Sequence, residues 1–327
     1  MMQIGLIGIG AGAAAALLFV SVASGSWLSV ILFYLASLPV MIAGLGWSHW
    51  SALIAALTGA LALGLLVSGY FFLAFLAGAG LPAWWLCYLA LLARPAGHAP
   101  VDGAAPELEW YPPGRLVGWA AGLGALTVIV AIANFGFDAE SVRANLHSTL
   151  AQLLGLQAGG GEAPRTIKGV TDTKPLLDFL VEAVPPAAAV LSTLTYVINL
   201  WLGARIVHFS ARLKRPWPAI PAMTFPRPLA AALGIAVVLS FAPGLLGIFA
   251  SVAAVSLLIA FGVLGFAVLH TLTQPLRARG FLLGGTYAAV MVLGWPIFVM
   301  CLFGLADMFF DLRGRAAARR AGPPAPL

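Results

Sequence analysis

Residues 248–270 read IFASVAAVSLLIAFGVLGFAVLH and contain no Asp, Glu, Lys or Arg. The hydrocarbon core of a bilayer is about 30 Å thick, so a helix of roughly 20 mostly apolar residues is long enough to cross it. Backbone groups in hydrocarbon must be hydrogen-bonded within a helix or a closed barrel, and this stretch lacks the strict alternation of a barrel strand. The stretch therefore predicts a transmembrane helix.

Comparable apolar runs extend outward from this stretch along the whole chain. We count about nine of them, at 3–23, 27–46, 50–69, 71–93, 114–134, 186–207, 228–246, 248–270 and 281–304. Hydrophobic residues make up 61% of the 327 residues and charged residues only 9%. A water-soluble globule of this size needs more polar surface than that. The sequence predicts an all-α, polytopic transmembrane helix bundle with about 8–10 spanning helices.

The apolar runs divide the chain into four parts. We expect an N-terminal transmembrane bundle of about five helices at 1–134 and an extracytoplasmic amphipathic helical segment at 135–182. A C-terminal transmembrane bundle follows at 183–312, and a disordered Arg/Pro-rich tail at 313–327. The polar segment is at the lower size limit for a domain that folds alone.

Two amphipathic helices are predicted within this polar segment, at 138–156 and 173–184. In the first, apolar residues recur at helical spacing, at Val142, Leu146, Leu150, Leu153 and Leu154. A polar, Gly-rich link at 159–171 follows, and Pro175 suits the first turn of the second helix. The two helices are interpreted as lying on the outer leaflet, as capping the bundle, or as only burying their apolar faces on it.

The distribution of basic residues predicts the orientation of the chain. The densest basic loop carries Arg205, Arg212, Lys214 and Arg215 and no acidic residue. Short basic loops stay in the cytoplasm, so these four residues are expected to determine the topology. We therefore expect a membrane protein with a cytoplasmic N-terminus and an extracytoplasmic segment 135–182. The net charge of +6 has the same explanation, and without a nucleic-acid-binding motif it does not predict a nucleic-acid partner.

The C-terminal tail conflicts with a simple count of nine crossings. Such a count places the tail outside, yet the tail carries Arg313, Arg315, Arg319 and Arg320, which should be retained inside. Either one of the nine runs does not cross the membrane, and 228–246 is then the weakest candidate for a crossing, or 281–312 turns back on itself near Gly294-Trp295-Pro296. We favour eight or ten crossings with both ends inside.

Three polar residues are candidates for the polar interior: Tyr196 and Asn199, which lie within an apolar run, and Asp307, just beyond the last run. Polar groups in hydrocarbon must find partners, so Tyr196 and Asn199 either join helices or contact a solute. Asp307 anchors the last helix at the interface, forms a buried pair with Arg205 or Arg277, or carries a proton or an ion.

The stretch LPAWW at 81–85 interrupts the fourth run. Such breaks are tolerated where they are buried in protein or line a cavity, so Pro82, Trp84 and Trp85 are a candidate pocket wall. The pairs Gly8/Gly12 and Gly280/Gly284 match the spacing that lets two helices approach closely.

No feature of the sequence indicates catalysis or a bound cofactor. There is no HExxH metal-binding helix, no GxSxG nucleophile elbow and no phosphate-binding Walker loop. Cys87 and Cys301 lie within apolar runs, without a neighbouring ligand, so neither a disulfide framework nor a metal site is expected. We do not expect an enzyme.

Several short motifs carry a resemblance to a known family. They are GWSHW at 46–50, GLPAWW at 80–85 followed by YLALLARP at 88–95, PGLLG at 243–247, GLAD at 304–307 and DLRGR at 311–315. With these motifs the chain resembles the YybS-like family of bacterial integral membrane proteins. That family has no established activity, so the resemblance implies no site residues. Some such families have been likened to the substrate-binding membrane subunits of vitamin transporters, an analogy at the level of the fold.

The leading functional hypothesis is a multi-pass inner-membrane protein that binds or moves a small solute, with energy from a partner or an ion gradient. The alternative is a non-transporting scaffold or assembly factor that acts through helices 138–156 and 173–184 and the basic loop 205–215. The expected partners are membrane lipids, and a partner membrane protein or an energising subunit is a further candidate.

Overall fold

The structure is a computed structural model that describes residues 2–96, 107–155 and 173–321. Residue 321 is described by its backbone alone. Its α-helices are α1 Met2–Val20, α2 Trp27–Tyr34, α3 Leu38–Gly46, α4 His49–Leu66, α5 Gly69–Phe75, α6 Leu81–Ala90, α7 Pro113–Ile132, α8 Ala139–Leu153, α9 Lys174–Phe209, α10 Arg227–Leu239, α11 Leu245–Leu272, α12 Arg279–Leu293, α13 Pro296–Phe310 and α14 Leu312–Ala321. Two short strands, β1 Ala93–Pro95 and β2 Leu108–Trp110, form an antiparallel ribbon. The prediction of an all-α bundle is confirmed.

Seven helical segments of the described chain are long and apolar enough to cross a membrane. They are Met2–Ser24, Trp27–Gly46, His49–Leu66, Gly69–Ala90, Pro113–Ile132, Lys174–Phe209 and Leu245–Leu272. The predicted run 228–246 contains only the 13-residue helix α10, and the run 281–304 is divided between α12 and α13, of 15 residues each.

Glycines on α1 let it pack closely on α4. A Cβ atom placed on Gly8 would lie 2.7 Å from a methyl carbon of Ile54, and one on Gly12 would lie 2.5 Å from the carbonyl oxygen of Ala55. The predicted close approach at the first glycine pair is therefore confirmed. The prediction for Gly280 and Gly284 is wrong, because no described atom comes within 4 Å of a Cβ placed on either.

Side-chain hydrogen bonds tie several turns together at one end of the bundle, which we call the basic end. Lys214 donates to the carbonyl of Trp47 and Arg215 to that of Ala90, over 2.8 and 3.1 Å. Thr271 and Arg313 both donate to the carbonyl of Pro221, each over 2.8 Å. The basic end therefore includes 47–48, 91–96, 210–226, 273–278 and 311–321.

The opposite end of the bundle is formed by α8, the start of α9 and the turn between α10 and α11. Side chains from all three, including Val142, Val181 and Ser240, line one cavity there. Helix α8 packs against α9, so the amphipathic helix predicted at 138–156 is present and covers this end. The second predicted helix, 173–184, is instead the first part of the 36-residue α9, which continues through Pro185 and Pro186. The predicted domain boundary at 182/183 therefore lies within a helix, and the Gly-rich link 159–171 lies outside the described residues.

Helices α12 and α13 form a hairpin that enters the bundle from the basic end and returns to it. A Cβ on Gly262 of α11 would contact Ile297 and Cys301 of α13, and Arg320 donates to the carbonyl of Leu272 over 3.3 Å, so α11 and α13 run in the same direction. Gly294 forms the turn with a φ of 73°. Gly262 lies ten residues before the end of α11 and contacts Ile297, which closely follows the turn of the hairpin. The turn of the hairpin is therefore about 15 Å from the basic end of α11, measured along the helix axis.

This hairpin agrees with the hypothesis that 281–312 turns back near Gly294-Trp295-Pro296. The arginines of the tail consequently lie at the same end as the basic loop, and the conflict with the count of nine is removed. The prediction of a disordered tail at 313–327 is wrong for its first part, because α14 is helical to Ala321. Residues 322–327 lie outside the described residues.

Candidate functional site

Two proline residues interrupt the helices that border the centre of the N-terminal half. Pro39 has no amide hydrogen to donate to the carbonyl of Leu35, and the amide of Leu38 bonds this carbonyl instead over 2.9 Å. Helix α2 consequently ends at Tyr34, whose carbonyl loses its usual donor. Pro82 acts in the same way after the single π-helical turn Leu76–Gly80, because it supplies no amide to the carbonyl of Gly78.

Side chains of α9 bond both of these carbonyls. The Tyr196 hydroxyl donates to Gly78 over 2.7 Å, and Asn199 Nδ2 donates to Tyr34 over 2.7 Å. Tyr196 also shares a 2.8 Å hydrogen bond with Thr127 Oγ1. Either hydroxyl can donate this bond, and the Thr127 hydroxyl also lies 3.4 Å from the carbonyl oxygen of Ala77, to which it can donate. Tyr196 and Asn199 therefore join α9 to two broken helices.

Both breaks border one cleft of about 620 Å³ in the half of the bundle nearer the opposite end. Its polar lining residues are Tyr34, Ser37, Tyr70, Thr127, Asn134, Ser192, Thr195 and Tyr196. Phe19, Phe33 and Phe137 supply aromatic walls, and none of the described residues that line the cleft is charged. The cleft offers hydroxyl, amide and aromatic groups, which suit an uncharged and partly apolar molecule.

The predicted pocket wall at Pro82, Trp84 and Trp85 is displaced by one helical turn. Leu76–Ala79 and Leu81 line the cleft, and those three residues do not. Trp85 instead packs edge-on against Trp119, with ring centroids 5.5 Å apart, in an aromatic cluster nearer the basic end. The interruption is at the π-helical turn because Pro82 has no N–H to donate to the carbonyls four and five residues before it. The residues after Pro82 continue as a regular helix.

Asp307 forms a buried ion pair at the basic end. Its Oδ2 lies 2.7 Å from a terminal nitrogen of Arg313, and the two side chains are 5% and 13% exposed. The backbone amide of Arg313 donates to Oδ1 over 3.0 Å. The predicted partners of Asp307 in a buried pair, Arg205 and Arg277, are wrong. Asp311 has a φ of 47° and ends α13, so the chain turns and brings Arg313 back to Asp307.

The cations of the basic loop contact carbonyl groups and aromatic rings. Arg205 lies over the ring of Phe209, and Arg212 over that of Trp47, with 4.6 and 4.8 Å between each guanidinium carbon and the ring centroid. Arg215 and Lys214 donate to the carbonyls given above, at the ends of α6 and α3, where cations are favourable. The loop is thereby held against the N-terminal half of its own chain.

No group of three or more His, Cys, Asp or Glu residues suited to a metal ion occurs among the described residues. Ser37, Gly78 and Thr127 were not predicted from the sequence to belong to the cleft. In the sequence, Pro39 and Pro82 indicate where these residues lie, because a proline within an apolar run breaks the helix and leaves a carbonyl without a donor.

Comparison with protein-family models, with curated proteins and with solved structures finds no match for this chain. The resemblance to the YybS-like family therefore stays a prediction.

Proposed function

We propose that this chain is a multi-pass protein of the bacterial inner membrane that binds a small, uncharged solute in the cleft between the two broken helices, either as a receptor or as part of a transport system. The observation that carries the proposal is that two helix breaks border the same cleft. Breaks in membrane helices persist where they line a cavity, and the solute sites of many transporters are built from such discontinuous helices.

The lining of the cleft supports a particular class of solute. A charged solute would lose its hydration there without meeting a counter-charge from the described residues. Hydroxyl groups such as those of Ser192 and Thr195 are suited to hydrogen bonds with a neutral polar group, and the phenylalanines are suited to a ring or an alkyl chain. Uncharged heterocyclic vitamins are one class with these properties.

The proposed orientation has the basic end in the cytoplasm. The arginines of 210–227 and 313–320 lie at that end, whereas Asp138, Glu140 and Glu182 lie at the opposite end. Basic residues flanking membrane helices are retained inside. The cleft is then nearer the extracytoplasmic side, where a solute arrives.

A thermal-shift screen with a matched pair of variants tests the proposal. Purified protein in detergent is heated with a panel of neutral, anionic and cationic solutes. Thr195→Trp fills the cleft, while Thr286→Trp places the same side chain on α12, away from it. We expect a neutral solute that raises the Tm of the wild type and of Thr286→Trp but not that of Thr195→Trp. A solute that shifts all three equally contradicts the proposal.

A scaffold is the second candidate function, and the exposure of α12 favours it. Helix α12 has no buried residue, and Phe281, Met291 and Val292 are each more than 80% exposed. Lipid covers such a surface equally well, however, and the loop 205–215 named in the scaffold hypothesis is bound to its own chain. Replacing 139–155 by a Gly/Ser linker tests the scaffold that was predicted to act through α8, since that scaffold then loses its partner, whereas a solute receptor retains its thermal shift.

A further inference from the structure

Arg215 lies between two cavities at the basic end, far from the cleft described above. The residue is only 9% exposed. One terminal nitrogen donates to the carbonyl of Ala90, while Nε is buried and has no hydrogen-bond acceptor among the described residues. A guanidinium has five N–H donors, so most of the hydrogen-bonding capacity of Arg215 is not used.

The charge of Arg215 has no counter-charge in the described chain. The ion pairs there are Arg94–Glu109 and Arg313–Asp307. Burial lowers the pKa of Arg215, with no acidic group to oppose the effect. A buried cation without an anion is costly, so an anion bound at this position would compensate the charge of Arg215.

The first cavity, which we call the tail cavity, has a volume of about 300 Å³ and lies between α7 and α9. Its walls include Leu116, Ala120 and Leu200, and Arg215 is the one charged side chain among the described residues that line it. Ile198 and Trp201, at its border, are 49% and 46% exposed on the outer face of α9. The tail cavity therefore suits an alkyl chain that enters from the lipid.

The second cavity, which we call the head cavity, has a volume of about 400 Å³ and lies under the loop 215–224. It shares Arg215, Trp217 and Met223 with the tail cavity, so the two are adjacent. Pro113 and Gly114, in the first turn of α7, also line it. The N-terminus of a helix carries a partial positive charge and attracts phosphate, which adds to the charge of Arg215.

We propose that the two cavities together bind one anionic phospholipid, with its phosphate at Arg215 and the first turn of α7 and one acyl chain in the tail cavity. A free anion leaves the tail cavity empty, and an uncharged lipid leaves the guanidinium uncompensated. The neighbouring cations Arg205, Arg212 and Lys214 attract anionic headgroups to the same end of the bundle. Arginine binds phosphate through paired hydrogen bonds, which suits it to this position.

Native mass spectrometry and thermal shift of the purified full chain test the proposal with phosphatidylglycerol, phosphatidylcholine, laurate and inorganic phosphate as probes. We expect one retained phosphatidylglycerol and half-saturation at a concentration about tenfold or more below that of phosphatidylcholine. Arg215→Gln should raise the half-saturating concentration of phosphatidylglycerol by about tenfold or more. Arg212→Gln, the control at the same end, should leave it within about twofold. Arg212 is exposed, lies over the ring of Trp47 and lines neither cavity, and exposed charges contribute little.

Ala204→Phe supplies a test that leaves Arg215 unchanged, because Ala204 lines the tail cavity alone. This variant should also weaken the retention of phosphatidylglycerol, and it keeps the proposal testable if Arg215→Gln does not fold. Equal retention of both phospholipids, unchanged affinity in Arg215→Gln and Ala204→Phe, or an equal loss in Arg212→Gln overturns the proposal. A thermal shift with inorganic phosphate or laurate alone that matches the shift with phosphatidylglycerol also overturns it.

Discussion

The hydroxyl of Tyr196 donates a 2.7 Å hydrogen bond to the carbonyl oxygen of Gly78, the carbonyl that Pro82 leaves without a donor. Asn199, one turn further along α9, does the same for Tyr34, whose donor is lost at the break before Pro39. The buried polar residues of α9 thus compensate breaks in two other helices, and the breaks in turn form the cleft.

Removing the Tyr196 hydroxyl should destabilise the bundle in a way that depends on Pro82. Tyr196→Phe removes the side-chain donor of the partly buried Gly78 carbonyl, at a cost of about 1 kcal/mol in the free energy of unfolding. In a Pro82→Ala background the new amide supplies a donor, so the cost should be smaller. A double-mutant cycle measured by denaturation in detergent micelles checks this. Equal costs in both backgrounds would show that the two residues are not coupled. Tyr70→Phe, which removes a hydroxyl from an exposed residue of the same cleft, is the control.

Asp307→Asn should detach α14 from the bundle. The change leaves the mostly buried Arg313 without its carboxylate, at a cost of roughly 3 kcal/mol. The double variant Asp307→Leu with Arg313→Met should be less destabilised than Asp307→Asn, because it leaves no buried charge. Denaturation and the rate of proteolysis within 312–321 measure the two effects. A double variant that is less stable than Asp307→Asn would mean that the ion pair itself stabilises the fold.

The attachment of α8 should weaken in acid through Asp138. This residue precedes α8, and hydrogen bonds from the side chain and the backbone amide of Ser141 hold its pKa below the usual value. A carboxylate with a lowered pKa in the folded state stabilises that state above its usual pKa, and the contribution is lost as the pH falls through the folded value, below about 4. Amide exchange of 139–153 should therefore accelerate at low pH. Asp138→Asn, which still caps the helix but does not titrate, should show a smaller acceleration.

The C-terminal end of the chain should face the cytoplasm. The α12–α13 hairpin returns to the basic end, so a reporter fused after Leu327 and a label on a cysteine at Ala317 should both report the cytoplasmic side. A cysteine placed at Glu140 should report the extracytoplasmic side. Periplasmic activity of the C-terminal reporter would show that the hairpin crosses the membrane.

The seven membrane-length helical segments of the described residues could be predicted from the sequence, because a long run such as 248–270 has few alternatives to a helix in hydrocarbon. The partner of Asp307 could not, because it depends on the left-handed backbone at Asp311, which turns Arg313 back onto the preceding helix. Tyr196 and Asn199 were identified as buried polar residues. Their acceptors were not, since the position of a break in a neighbouring helix decides which carbonyl is left without a donor.

The central claim is that the cleft between the broken helices binds a small uncharged solute, and cysteine protection tests it most directly. Thr195→Cys and Thr286→Cys are prepared in a chain whose buried Cys87 and Cys301 are replaced by alanine. Each is treated with N-ethylmaleimide, with and without the neutral solute that raises the Tm. The proposal predicts at least about tenfold slower labelling at 195 when that solute is present at a hundred times its dissociation constant, and an unchanged rate at 286. An unchanged rate at 195, or equal slowing at both positions, would contradict it.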